Sequence, residues 1–305
     1  LVGLDAALPV LSLAVNPDDL WHPDSGIYAN PYEKGIEWEG PVDVTYVDED
    51  HRLGFHVPAG IRIHGGVSRN FAKKGLRLYF RQEYGVSALE YPLFADSDGA
   101  NSNVQSFRRL VLHNSGQDGM TFNNMNRTLL RNQLVDNLAF QLGGCAARSQ
   151  PVLLFINGDS WGIYQIRERI DSRFLMDHYG IESVDFLDTP EHVWDQTILM
   201  GDRQHWDHLL QFVETHDLAD PPNYAYVQSQ VDISNLLDYH ILYIYAANVD
   251  WPFHNIQHFR PRVQGGRWHW LFWDSDRTFG ARPVHPYSRV DWNSVEQLQT
   301  YDDDL

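Results

Sequence analysis

The chain has 305 residues, 43% of them hydrophobic and 13% aromatic, which is enough apolar material for a sizeable core in one two-lobed domain or two small ones and excludes disorder. Twenty-three basic against 41 acidic residues give a net charge of −18, which argues against nucleic acid and anionic membrane as partners and favours cationic ones. No apolar run reaches the roughly 18 residues of a membrane helix, so no membrane insertion is expected, and the lone Cys145 excludes an intrachain disulfide and a cysteine-based zinc site.

The opening LVGLDAALPVLSLAV has neither an initiating Met nor a basic stretch and does not read as a signal peptide. With the abrupt acidic YDDDL at the other end, the chain is expected to be a piece that lacks a C-terminal portion of its domain. From Leu8 to about Phe122, short alternating runs broken by Gly, Pro, Asn and Asp predict strands and loops. Within them residues 61–80 predict a strand, a bend at Gly65 and Gly66, and a second strand LRLYF.

Over residues 126–142 Leu130, Leu134, Leu138 and Leu142 recur every four positions, with Gly143 as C-terminal cap, which predicts a helix. VLLFI and IYQIRE around NGDSWG predict a hairpin on an Asn-Gly turn. Beyond it the periodicity turns helical, over 173–178, 204–215 and 233–247. The last places Ile233, Leu236, Leu237, Ile241 and Ile244 on one face, with Asp232 as N-cap. IQHFRP and RWHWLFWD, joined at VQGG, predict one more hairpin.

Residues 248–280 carry the chemistry. A helix ends, a loop presents Asp250 and then Asn255, and a hairpin follows whose second strand runs into Asp274. Phosphoryl transfer needs such a set: a carboxylate near the attacking hydroxyl, and an amide oxygen with a second carboxylate to hold Mg²⁺ on the phosphates. Pro252 keeps the loop out of a regular helix, where functional side chains are commonly displayed. By spacing alone these residues could equally cap a turn and end a strand.

A phosphate-binding cation is expected on a strand of the first half. Period two puts Lys74 on the side of Leu76, Leu78 and Phe80, where an ammonium needs an anionic partner, and leaves Lys73 solvated. GIRIHGGVSRN could add backbone N–H groups and Arg69 near phosphates. The rival set is His254, His258 and His269, but two His at i and i+4 need a helix to share a zinc ion, and IQHF reads as a strand.

With those residues in place the chain resembles the CotH kinase family, named for a spore-coat protein. The stretches that carry the likeness are DLWHPDSGIYANPYEKGIEWEGPV, GIRIHGGVSRNFAKKGLRLYFRQEYG, LFINGDSWGIYQIRERID, NVDWPFHN and RWHWLFWDSDRTFG. The resemblance implies an α+β, two-lobed kinase-like fold, with a β-rich lobe with one helix over 1–168 and a mainly helical lobe over 169–305. It implies an atypical protein kinase that uses ATP with Mg²⁺, or Mn²⁺, to phosphorylate Ser or Thr of coat, surface or secreted proteins, and so an exported or surface location. In that picture Lys74 meets the phosphates, Asp250 is the catalytic aspartate, and Asn255 and Asp274 bind metal, with Asp276 as the alternative to Asp274. Glu168 opens a hinge beside the adenine. The charge balance favours Lys- or Arg-rich acceptor segments. The helix over 126–142 would stand where kinases keep a Lys-pairing Glu, yet its only acid is Asp136. That departure leaves open a catalytically inactive surface-binding module, and the same apparatus would also serve a small-molecule phosphotransferase.

Overall fold

The computed structural model of the chain describes residues 8–94, 104–119, 127–189, 197–252 and 254–280. They fall into two compact units, one of residues 1–130 with 148–169 and one of residues 131–147 with 170–305. The expected division at 168/169 falls beside the crossing at 169/170. Residues 131–147, expected in the first half, belong to the second unit.

The first unit contains helix α1 (Pro17–Trp21) and strands β1 (Val10–Ala14), β2 (Gly40–Val47), β3 (Leu53–His64), β4 (Gly75–Tyr79), β5 (Leu89–Glu90), β6 (Ser106–Phe107), β7 (Arg109–His113), β8 (Ser149–Ile156) and β9 (Asp159–Glu168). In the order β1-β2-β3-β4-β7-β9-β8 they close a barrel, and β5 and β6 pair apart from it. β1 makes the closure, antiparallel to β2 and parallel to β8. Strand alternation fills the barrel: Leu11, Leu13, Ile61, Leu76, Leu78, Leu110, Leu112, Leu154 and Ile166 are fully buried. Each contributes roughly 1.5–3 kcal/mol of hydrophobic stabilisation. The turn between β8 and β9 is the expected Asn157-Gly158, with φ of 53° and 90°, the pair of positive values that matches a two-residue turn to the strand twist.

The second unit contains α2 (Arg131–Gln141), α3 (Ser172–Tyr179), β10 (Val184–Thr189), β11 (Thr197–Met200), α4 (Gln204–Thr215), α5 (Pro221–Gln230), α6 (Ile233–Tyr245), β12 (Ile256–Pro261) and β13 (His269–Leu271). α3, α4 and α6 lie where periodicity put them, and Asp232 caps α6 by accepting from the Asn235 N–H at 3.2 Å. The helix predicted from residue 126 begins at Arg131; Asn126 and the YDDDL end lie outside the described residues.

Helices outweigh strands in the second unit, as expected, but it also holds a four-stranded sheet, β11-β10-β12-β13, of which only β12 and β13 were foreseen. β10 escaped because VDFLDT is buried along nearly its whole length and so lacks an alternating signature. Two helix faces are corrected as well. On α6 Leu237 and Ile241 are exposed, while Tyr239, Leu242 and Tyr243 are buried. On α2 Leu134 is half-exposed, whereas Asn132, Val135, Asp136 and Ala139 are buried. α2 packs on α6 through Val135 and Ala139, which join a core with Tyr239, Leu242 and Tyr243, while the buried Asn132 has a backbone partner beyond β13, described below.

Candidate active site

The loop that follows α6 is shaped by side chain to backbone bonds. Ala247 takes a left-handed conformation (φ 49°) that leads the chain away from α6. Oδ1 of the buried Asn248 then accepts from the N–H of Asp250 at 3.0 Å and of Trp251 at 3.4 Å. This is the local turn chemistry that short amide side chains favour. It holds Asp250 on irregular backbone with only 7% of the residue exposed. Nη1 of Arg277 donates to Asp250 Oδ1. Burial pushes the Asp250 carboxyl up from its ordinary value, and the charges of Arg277 and His254 pull it back down.

Asn255 is tied to the sheet by its N–H, which donates to the carbonyl of Thr189 at 2.8 Å at the end of β10. β12 and β13 are antiparallel with Gln257 opposite Leu271. Asn255, shortly before Gln257, and Asp274, shortly after Leu271, therefore stand at the same end of the hairpin. Both take positive φ, 60° and 52°. That conformation is uncommon outside Gly, is tolerated best by Asn and Asp, and clusters at functional sites.

The segment through Asp274 is stitched on both sides. The Tyr243 hydroxyl accepts from the Trp273 N–H at 3.1 Å and lies 3.1 Å from the Trp273 carbonyl. Burial, with smaller contributions from Asp136 and Asp274, raises the Tyr243 phenol, so it stays protonated at neutral pH. The Ser275 N–H donates to Asn132 Oδ1 at 2.6 Å, and the Val249 N–H to the Arg277 carbonyl at 3.1 Å. Sequence reasoning missed Asn132, Tyr243 and Arg277 because each acts through a tertiary contact that no local spacing encodes; it missed Asn248 although its bonds to the Asp250 and Trp251 N–H groups are local turn chemistry. Of the two aspartates in D-x-D, Asp276 is 5% exposed and Asp274 is only partly buried, which favours Asp274 for a ligand from solution.

The residues expected at the nucleotide lie in the first unit and have internal partners. Lys74 is buried as period two requires, but its partners are carbonyls: Nζ donates to Arg69 O at 2.7 Å and Phe71 O at 3.0 Å. Lys73, expected to be solvated, donates from Nζ to the Ile163 carbonyl and sits 4.3 Å from the Tyr164 ring centroid. Burial brings its pKa down to about 8. The Arg69 guanidinium donates to the carbonyls of Gly65 at 2.6 Å, Pro31 at 2.5 Å and Ile63 at 2.9 Å, clamping the bend between β3 and β4. Glu168 accepts from Arg148 through both oxygens, at 3.0 and 2.8 Å. In the second unit Asp171 caps α3, accepting from Arg173 N at 3.0 Å and Phe174 N at 3.2 Å.

The histidines of the rival set do not converge. His258 is enclosed by Trp206, Trp268 and Trp270, while His269 stacks on Phe259. Among the described residues no group of three His, Cys, Asp or Glu side chains could hold a metal by itself. An amide oxygen and a carboxylate at one hairpin end fit Mg²⁺, which keeps waters and completes its shell with phosphate oxygens.

Comparison with known proteins gives one assignment. No curated protein matches the sequence. The family model described as CotH kinase protein matches residues 61–301, which takes in Asp250, Asn255, Asp274 and both lysines. The chain belongs to the CotH kinase family.

Proposed function

We propose that the chain transfers a phosphoryl group from ATP to a Ser or Thr hydroxyl of a coat, surface or secreted protein. The observation that carries the reading is the hairpin end at which Asn255 and Asp274, both with left-handed backbone, emerge together after the loop that holds Asp250. Asn255 and Asp274 would hold Mg²⁺ against the phosphates, and the ion when bound neutralises charge on the transferring group. Asp250, anchored through Oδ1 by Arg277, presents its other oxygen to the acceptor hydroxyl, orients it and takes its proton. Tyr243 and Asn132 fix the backbone on either side of Asp274. Lys74 has no part in this scheme, since its ammonium holds the Arg69 and Phe71 carbonyls. The net charge of −18 favours acceptor segments rich in Lys or Arg.

The test is transfer of labelled phosphate from ATP with Mg²⁺ to Lys/Arg-rich Ser/Thr peptides by the wild type and by Asp250→Asn. The reading predicts transfer by the wild type, a loss of at least about a hundredfold in the variant, and nucleotide affinity unchanged. Nucleotide binding without transfer to any protein or small-molecule hydroxyl would favour the inactive binding module instead.

A further inference from the structure

Alternation and register gather arginines on one outer face of the barrel. Ile61, Leu76, Leu78 and Leu110 point into the core, so Arg62 on β3, Arg77 and Tyr79 on β4 and Arg109 on β7 point outward, with Arg81 two residues past Tyr79. Arg62 stands directly opposite Arg77, and Tyr79 opposite Arg109. The guanidinium carbons of Arg62, Arg81 and Arg77 lie 4.5, 4.9 and 5.9 Å from the centre of the Tyr79 ring. Few carboxylates meet them. Arg62 and Arg81 share Glu39, at 2.7 and 2.9 Å, and Arg81 is 3.9 Å from the exposed Glu83. Among the described residues Arg77 meets no carboxylate: its Nη1 donates to the Tyr79 hydroxyl at 3.1 Å, and its Nη2 is 2.5 Å from Nδ1 of His64. Burial, and after it the positive field of His113, Arg169, Arg167 and Arg69, keeps that imidazole well below its ordinary value.

Like charges directly opposite each other destabilise a sheet, and a chain with 41 acidic residues places little on this face to offset them. The face suits an anion from outside. Neighbouring strands lie about 5 Å apart, so one phosphate monoester, with three oxygens and about two charges, can engage guanidinium forks on two of them, whereas a carboxylate brings one charge and one edge. The net charge of −18 disfavours long polyanions and favours a compact anion on an otherwise basic segment. We propose that the outer face of β3, β4 and β7, through Arg62, Arg77 and Arg109, binds a phosphoserine or phosphothreonine of an acceptor segment that already carries phosphate. This rests on the phosphoryl-transfer reading for the source of the phosphate; the binding itself needs no catalysis. A basic segment with several hydroxyls is thereby retained after its first transfer.

The experiment measures dissociation constants, without nucleotide, for one Lys/Arg-rich peptide that carries Ser, phosphoserine or Glu at its central position. The wild type should bind the phosphoserine form about tenfold or more tightly than the Ser form, with the Glu form closer to Ser. Arg77→Gln and Arg109→Gln should each cut that preference at least about threefold, while Arg52→Gln, which removes the same charge from an exposed pair with Asp50, should leave it within about twofold. Equal wild-type affinity for the Ser and phosphoserine forms, which needs no variant, overturns the proposal, as does a preference that outlasts both substitutions. A Glu form that binds as tightly as the phosphoserine form makes the ligand an acidic segment, and displacement of the phosphopeptide by ATP gives the face to the nucleotide; either result overturns it too. Phosphoserine binding by a chain that transfers no phosphate upholds the surface and sinks the phosphoryl-transfer reading, whereas transfer without a phosphoserine preference does the reverse.

Discussion

Arg277 holds Asp250 in a pair that is largely shut away from solvent, with side-chain exposures of 19% and 9%. The aspartate proposed to meet the acceptor hydroxyl thus has one oxygen fixed and its charge maintained against burial. Replacing Arg277 by Met removes the charge that pulls the Asp250 carboxyl down, leaving burial to push it up. The acid limb of the pH profile of kcat/KM should move to higher pH, and Arg277→Lys should largely reverse the move. An unmoved limb with reduced activity would make Arg277 a purely structural residue.

Lys74 separates a structural ammonium from a catalytic one. Lys74→Met leaves the Arg69 and Phe71 carbonyls without their donor and should lower stability by about 1–3 kcal/mol, read by denaturant unfolding. Nucleotide affinity should stay within about twofold of wild type. A loss of affinity of an order of magnitude or more in a folded variant would return Lys74 to the phosphates.

The inverted face of α2 gives a paired test. Leu134 is 45% exposed and its neighbour Val135 is fully buried. Leu134→Lys should change stability by no more than about 0.5 kcal/mol, whereas Val135→Ala should cost about 1–3 kcal/mol. The reverse ranking would restore the leucine face that the four-residue spacing suggests.

That inversion also marks how far the sequence could be read. Strands of the barrel, the Asn157-Gly158 turn, Asp232 as cap and the bounds of α4 were legible because each follows from alternation, turn chemistry or periodicity within a few residues. The order of Asp250, Asn255 and Asp274 around a hairpin was legible for the same reason. The α2 face was misread because leucine spacing does not say which side the neighbours occupy: Val135 and Ala139 join the core with Tyr239, Leu242 and Tyr243, and Asn132 finds its partner at Ser275, far along the chain. Lys74 is buried as expected, and its carbonyl partners were not foreseen: side-chain direction follows from period two, but nothing local says that backbone carbonyls of the preceding bend will meet the ammonium. Arg277 was invisible, since its role is set by tertiary proximity to Asp250 alone.

His258 predicts an acid-sensitive second unit. Enclosure by Trp206, Trp268 and Trp270 brings its pKa down from 6.5 to about 3. Its folded value lies below its unfolded one, so its share of stability is complete above pH 6.5 and is lost as the pH falls from there towards 3, by roughly 1.4 kcal/mol per pH unit. His258→Phe removes one such group and should flatten the decline by about one proton's worth while leaving stability at pH 8 little changed. Equal slopes in chemical denaturation between pH 6 and 4 would refute the buried neutral ring.

The proposed metal and nucleotide site is tested most directly by thermal unfolding with ATP, with and without Mg²⁺, for the wild type and for Asp274→Ala. A ligand that binds only the folded state stabilises it by about 2.7 kcal/mol at a hundred times its Kd, which for units of this size raises Tm by several degrees. The wild type should show that rise only when Mg²⁺ is present, and the variant should show none. A rise that needs no metal, or one that survives in Asp274→Ala, would contradict the assignment of Asn255 and Asp274 as the place where metal and phosphates are held.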